Sequence, residues 1–330
     1  MHKVWALAAA SLALLSAPAQ AQDKLTLGLK WLPQAQFAGY YAAKARGFYN
    51  DENLDVTIKP GGLDPAPAEM AASGAADVVV DWMPAALAAR ERGIPLVNIA
   101  QIFKQSGMWL TCRRDAGVLW PRTLEGRTVA VWFGGNEYPF LAWMAKLGIP
   151  PGAVKVVKQG FDIKPLTERR ADCISTMSYN EYWDVIDAGL KPEDLTVFKY
   201  GEHEVATLED GLYVLEAKLA DPKMRDRLAR FLRASIRGWL FAAGSQKLAV
   251  AMIMKETAAN QTTVKHQTRM LAEVTRLLDR NRAELGRLAP ADYERTVTTL
   301  LAGGSDPVIT KRPTGAWTHA IWDAAKKKAE

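Results

Sequence analysis

Four short stretches of the chain concentrate side chains able to hold a small molecule. They are Trp31-Leu32-Pro33-Gln34, Asp81-Trp82-Met83-Pro84, Trp132-Phe133-Gly134-Gly135-Asn136-Glu137-Tyr138 and Ser178-Tyr179-Asn180-Glu181. Each joins an aromatic ring to a carboxylate or an amide, and none contains Lys or Arg. A stacked flat ring gains roughly 1–3 kcal/mol per face by analogy with base stacking. A charge-assisted bond from a ring or amino N–H to a carboxylate adds about 1.5–3 kcal/mol. Paired glycines before a helix often cradle phosphate, because the helix N-terminus offers free N–H groups, but Glu137 puts a carboxylate there. The chemistry expected is therefore recognition of a neutral or cationic flat ring bearing donors. Trp31, Trp82, Trp132 and Tyr179 are the stacking candidates. Asn136 and Glu137 are expected to bond the ring from one side, and Gln34, Gln36 and Asp81 from the other. Tyr138, Asn180 and Glu181 complete the candidate set.

Each position also has a structural use. Trp132 and Phe133 suit a core, and Trp31 and Trp82 suit staples between loops. Glu137, Tyr138 and Glu181 suit a first helical turn, where an acid favours the dipole. The recurrence of one chemistry in four separate turns favours a shared site.

The elements that must position these turns follow from hydrophobic period and breakers. Strands are expected at 25–30, 54–59, 77–80 and 96–103, with helices at 37–46, 66–72 and 84–91. Such alternation implies mostly parallel sheets covered by helices. Ala76–Gly93 and Ala171–Gly189 repeat one pattern: Ala-Asp, a buried strand, a polar-aromatic turn, then a helix ending in Gly. The repeat predicts two similar lobes, and ligands in open parallel sheets bind beyond the carboxyl ends of the strands. From about residue 217 the spacing turns helical, with Asp221-Pro222 as a helix start. Met108–Arg113 and Leu208–Leu215 read as extended connections. The division expected is 22–112 with 208–330 as the first lobe, and 113–207 as a second lobe inserted into it.

Residues 1–21 have the form of a signal peptide, with basic Lys3, a short apolar run and Ala19-Gln20-Ala21 as cleavage site. Export to the periplasm and cleavage after Ala21 are expected. The net charge of +6 is scattered rather than blocked, so no nucleic-acid partner is expected. Cys112 and Cys173 are compatible with a disulfide in an oxidising compartment and equally with two buried thiols. His203, His266 and His319 lie far apart, and no HExxH, CxxC or nucleophile-elbow pattern occurs. Neither a metal nor another cofactor is expected, and the chain does not read as an enzyme. An anion receptor would need basic or hydroxyl groups such as Arg113, Arg114, Ser175 and Thr176, against which Asp81, Glu137 and Glu181 stand.

The stretch KWLPQAQFAGYYAAKARGFYNDENLDV, with ASGAADVVV, GGNEYPF and ADCISTMSYNEYW, resembles the thiamine-pyrimidine synthase-like (NMT/THI-like) solute-binding proteins of ABC importers. The resemblance runs over most of the chain beyond residue 21. It implies a type II periplasmic-binding-protein clamshell, each lobe a mostly parallel sheet flanked by helices. It also implies a monomer that closes on one small molecule and presents it to an inner-membrane permease. In that family a Trp follows the first strand, matching Trp31, and an acid in the Gly-rich turn matches Glu137. An aminopyrimidine precursor of thiamine is the leading ligand, with riboflavin-like rings and alkanesulfonate or nitrate anions as alternatives. The related pyrimidine synthases carry a cysteine-rich motif and an active-site histidine, neither of which is visible here.

Overall fold

The computed structural model describes residues 21–133, 135–258, 261–302 and 307–327. The predicted signal peptide and Gly134 therefore lie outside the described residues, except for Ala21. Among the described residues ten strands form: β1 (Asp23–Gly28), β2 (Leu54–Lys59), β3 (Val78–Asp81), β4 (Leu96–Gln101), β5 (Met108–Arg113), β6 (Thr128–Val131), β7 (Lys155–Lys158), β8 (Cys173–Met177), β9 (Leu195–Lys199) and β10 (Gly211–Leu215). They build two five-stranded sheets with the same internal plan, β2-β1-β3-β10-β4 and β7-β6-β8-β5-β9. In each sheet β1–β3 or β6–β8 pair in parallel, and one antiparallel strand separates them from the edge strand.

That antiparallel strand is the main correction to the sequence reading. Met108–Arg113 and Leu208–Leu215 were expected as connections, but β5 is a full member of the second sheet and β10 of the first. Their burial explains the membership: four of the six residues of β5 are buried and four of the five of β10. The chain crosses between sheets in the short segments after β4 and after β9. Glu209 ties the two crossings together, accepting from Gly107 N at 3.0 Å, Met108 N at 3.1 Å and the Ser106 hydroxyl. Burial pushes its carboxyl up to about 8.

Cys112 of β5 and Cys173 of β8 are partners across the second sheet and are joined by a disulfide. In the first lobe, Asp221 caps the long helix Pro222–Gly244 by accepting from Lys223 N, as its Asp-Pro start suggests. This helix packs on the helix Ala38–Ala45, with Trp239 edge-on to Tyr40, and Gly39 and Gly238 allow the two backbones to approach, while its Phe231 stacks on Tyr49. No described helix is long and apolar enough to cross a membrane.

Candidate functional site

The turns following β1, β3, β6 and β8 meet in one cavity. Trp31, Gln34, Gln36 and Trp82 line it from the first lobe, and Trp132, Asn136, Tyr179 and Glu181 from the second. Lys30 and Met177 also line it, and the sequence reading missed both. Asp81, Glu137, Tyr138 and Asn180, which it included, stand behind the lining.

The first wall is a closed hydrogen-bond network. Lys30 Nζ donates to Asp81 Oδ1 at 2.9 Å with both side chains nearly fully buried, and the same oxygen accepts Trp82 N at 2.8 Å. Gln34 Nε2 donates to Gln36 Oε1 at 2.7 Å, and Gln36 Nε2 donates to both oxygens of Asp210 at 3.1 and 2.9 Å. Asp210 also accepts the Trp82 indole N–H at 2.8 Å. Asp81 is thus a counter-ion for Lys30 rather than a lining acceptor. Burial raises Asp210 to about 6, opposed by the donors from Gln36 and Trp82. Asp210 immediately precedes β10 and was not among the predicted residues.

In the second wall, Trp132 donates its indole N–H to Gly160 O at 2.9 Å, and its ring meets Trp31 edge-on at 6.1 Å. Phe161, exposed at the cleft mouth, also approaches Trp31, with centroids 5.1 Å apart. Asn136 is buried, and its Oδ1 has no hydrogen-bond partner among the described residues. Glu181 is 3% exposed, accepts Met177 N at 2.9 Å and Asn180 Nδ2 at 2.6 Å, and is raised to about 7 chiefly by burial. Tyr179 is fully buried and meets Phe103 edge-on.

The remaining predicted residues have other tasks. Glu137 folds back so that Oε2 accepts Gly135 N at 2.7 Å, holding the turn before the helix Tyr138–Lys146. Burial raises its carboxyl, opposed by the backbone donors of its own turn and by Lys30 and Arg92. Tyr138 packs on the first-lobe cluster containing Met83 and Leu87. Gly135, at φ +105°, is so close to the first lobe that an added Cβ would meet Ala85 Cβ at 2.4 Å. Asn180 turns its Oδ1 to His266 Nε2 at 2.8 Å, across the cleft.

Two sheets of one plan, crossed twice by the chain and closing on an aromatic cavity, define the two-lobed periplasmic-binding-protein fold. The periplasmic nitrate-binding protein of Synechocystis PCC 6803 shares it at a TM-score of 0.69 and 12% identity, over 94% of this chain and 89% of that one. Residues 34–249 match the family model described as NMT1/THI5 like, and the chain belongs to that family. It is 23% identical over 243 residues to the formylaminopyrimidine-binding protein of Halalkalibacterium halodurans, covering 72% of this chain and 73% of the relative. It is 25% identical over 224 residues to the riboflavin-binding protein RibY of Chloroflexus aurantiacus, covering 66% of this chain and 61% of the relative, under two thirds of its length.

Proposed function

We propose that the protein is a periplasmic receptor that closes on a small aromatic heterocycle and hands it to the permease of an ABC importer. An aminopyrimidine related to thiamine is the leading ligand. The observation that carries this reading is the buried, unpartnered Oδ1 of Asn136 in a cavity walled by Trp31, Trp82, Trp132 and Tyr179. An acceptor left open among aromatic faces calls for a ring with a donor at its edge. Lys30 argues little for an anion, because Asp81 already neutralises it. The relative that binds formylaminopyrimidine supports the same choice.

The two lobes are taken to be those read from the sequence, hinging where the chain crosses after β4 and after β9. Export, cleavage after Ala21 and a monomeric state belong to the same proposal. So does a role without catalysis, which the relative named as a formylaminopyrimidine-binding protein supports.

The test is a tryptophan-fluorescence titration of unfolded-and-refolded protein with an aminomethyl-aminopyrimidine, beside riboflavin and an alkanesulfonate. Saturation at micromolar or lower concentration by the pyrimidine alone is expected. Tighter binding of riboflavin would overturn the ring size, and of the sulfonate the recognition chemistry.

A further inference from the structure

The helix Val264–Leu277 belongs to the first lobe, packing on the helix Gln246–Ile253 and on the turn Ala35–Phe37. Two consecutive residues near its start bond to opposite walls of the cavity. Gln267, 2% exposed, accepts Ala35 N at 2.6 Å and so fixes the turn that carries Gln34 and Gln36. His266 points the other way, to the second lobe, where its Nε2 lies 2.8 Å from Asn180 Oδ1. Asn180 in turn donates from Nδ2 to Glu181 Oε1 at 2.6 Å, and Glu181 lines the cavity. We propose that His266 is a positioning residue of the binding site, clasping the closed lobes and, through Asn180, aiming the Glu181 carboxylate at the ligand. This rests on the receptor reading above.

The direction of each bond follows from the acid. Once ionised, Glu181 has only accepting oxygens, so Asn180 turns its NH2 to Glu181 and its carbonyl oxygen to His266, as the atoms are placed. His266 must then donate from Nε2. Its Nδ1 lies 3.4 Å from Asp184 Oδ1, on the same second-lobe helix, Glu181–Asp187, that Glu181 opens. The charges around this contact are Asp184, Glu181 behind Asn180, and Asp187, which Lys265 and Arg269 of the first-lobe helix approach at 3.4 and 3.1 Å. Arg269 also covers the Trp183 ring at 4.5 Å. Those outer pairs are solvent-screened, whereas the His266 side chain is only 11% exposed. His266 is therefore the polar contact of this helix pair that is sheltered enough to set geometry.

The decisive measurement compares His266→Ala, His266→Gln and Asn180→Ala in the full chain, with the aminomethyl-aminopyrimidine as probe. His266→Ala should weaken binding about tenfold, chiefly through faster dissociation. His266→Gln keeps an N–H for Asn180 and should return affinity to within about threefold of the parent. The double variant His266→Ala/Asn180→Ala should be no weaker than either single change, because one chain of bonds is cut in each case. Equal damage from Ala and Gln, or losses that simply add, would overturn the proposal. If the parent protein does not bind the probe, the aminopyrimidine reading fails and the clasp is read from amide exchange instead. His266→Ala should then speed exchange in Glu181–Asp187 about tenfold relative to Tyr138–Lys146, with Gln restoring protection. Equal exchange in all three proteins would remove the clasp.

Discussion

The two walls of the cavity use their polar groups in opposite ways. In the first, Lys30, Asp81, Gln34, Gln36, Asp210 and the Trp82 indole bond one another. In the second, Asn136 keeps an acceptor open and Glu181 is held near neutral pH by burial. A wall whose groups are already paired is rigid and presents mainly faces for stacking. A wall with an unpaired acceptor is incomplete until a ligand arrives. The first wall therefore works as a platform and the second as the reader of the ligand's edge.

The largest expected effect tests whether the reading wall depends on its own sheet. The first sheet has no covalent tie, whereas the second has Cys112–Cys173, closing a separation of 61 residues. A loop of that size contributes about 4 kcal/mol on the chain-entropy scale. Replacing both cysteines with alanine should lower unfolding free energy by that order, seen by urea denaturation, while the affinity of the folded fraction stays within about twofold. An affinity lost in step with stability would mean that the disulfide shapes the wall itself.

Next comes the point where the walls touch. Gly135 at φ +105° faces Ala85, with a built Cβ 2.4 Å from Ala85 Cβ. Gly135→Ala should cost roughly 2 kcal/mol of closure, about thirtyfold in affinity, in addition to a left-handed backbone strain felt in every state. Adding Ala85→Gly should recover part of the affinity and none of the strain. Unchanged binding by Gly135→Ala would show that the lobes need not come this close to hold a ligand.

These predictions rest on contacts of differing visibility in the sequence. The βα alternation and the four aromatic turns were legible, because period and residue type carry them. Lys30 was not: a lone lysine reads as solvated, and only Asp81, fifty-one positions away, keeps it buried. Asp210 sits in Leu208–Leu215, which read as an extended connection, and its donors come from Gln36 and Trp82 in distant loops. Glu137 and Asn180 failed as lining residues for a local reason. Each satisfies its own turn or a neighbouring helix, a choice that residue type does not reveal. Phe161 was findable, since it lies just beyond β7 and obeys the same rule as the other turns, but that strand had not been read. β5 and β10 were mistaken for connections because a short strand and an extended crossing share one local pattern.

A smaller effect separates the walls directly. Asn136→Ala removes the open acceptor and should weaken the aminopyrimidine about tenfold, or 1.4 kcal/mol, with little change in melting temperature. Gln36→Ala breaks a paired network, so it should lower stability by about 1–3 kcal/mol with a lesser effect on binding. Calorimetric melting and the fluorescence titration report the two quantities separately. Reversed outcomes would exchange the roles of platform and reader.

The subtlest difference is in proton uptake. Burial lifts Glu181 from an ordinary 4.5 to about 7, so the folded state keeps its proton where the unfolded chain has lost it. Stability from this group therefore falls as pH rises from about 4.5 to about 7, with the full cost above that window. Binding should show the opposite slope. An aminomethyl group, with a pKa above this range, arrives as an ammonium and favours the ionised carboxylate. Affinity should thus rise a few-fold as pH passes through about 7 and then level off. Glu181→Gln, which cannot ionise, should bind more weakly at high pH and show a flatter profile. If Asn136→Ala flattens it equally, the two residues read one donor together. If only Glu181→Gln does, the ring edge and the ammonium are recognised separately.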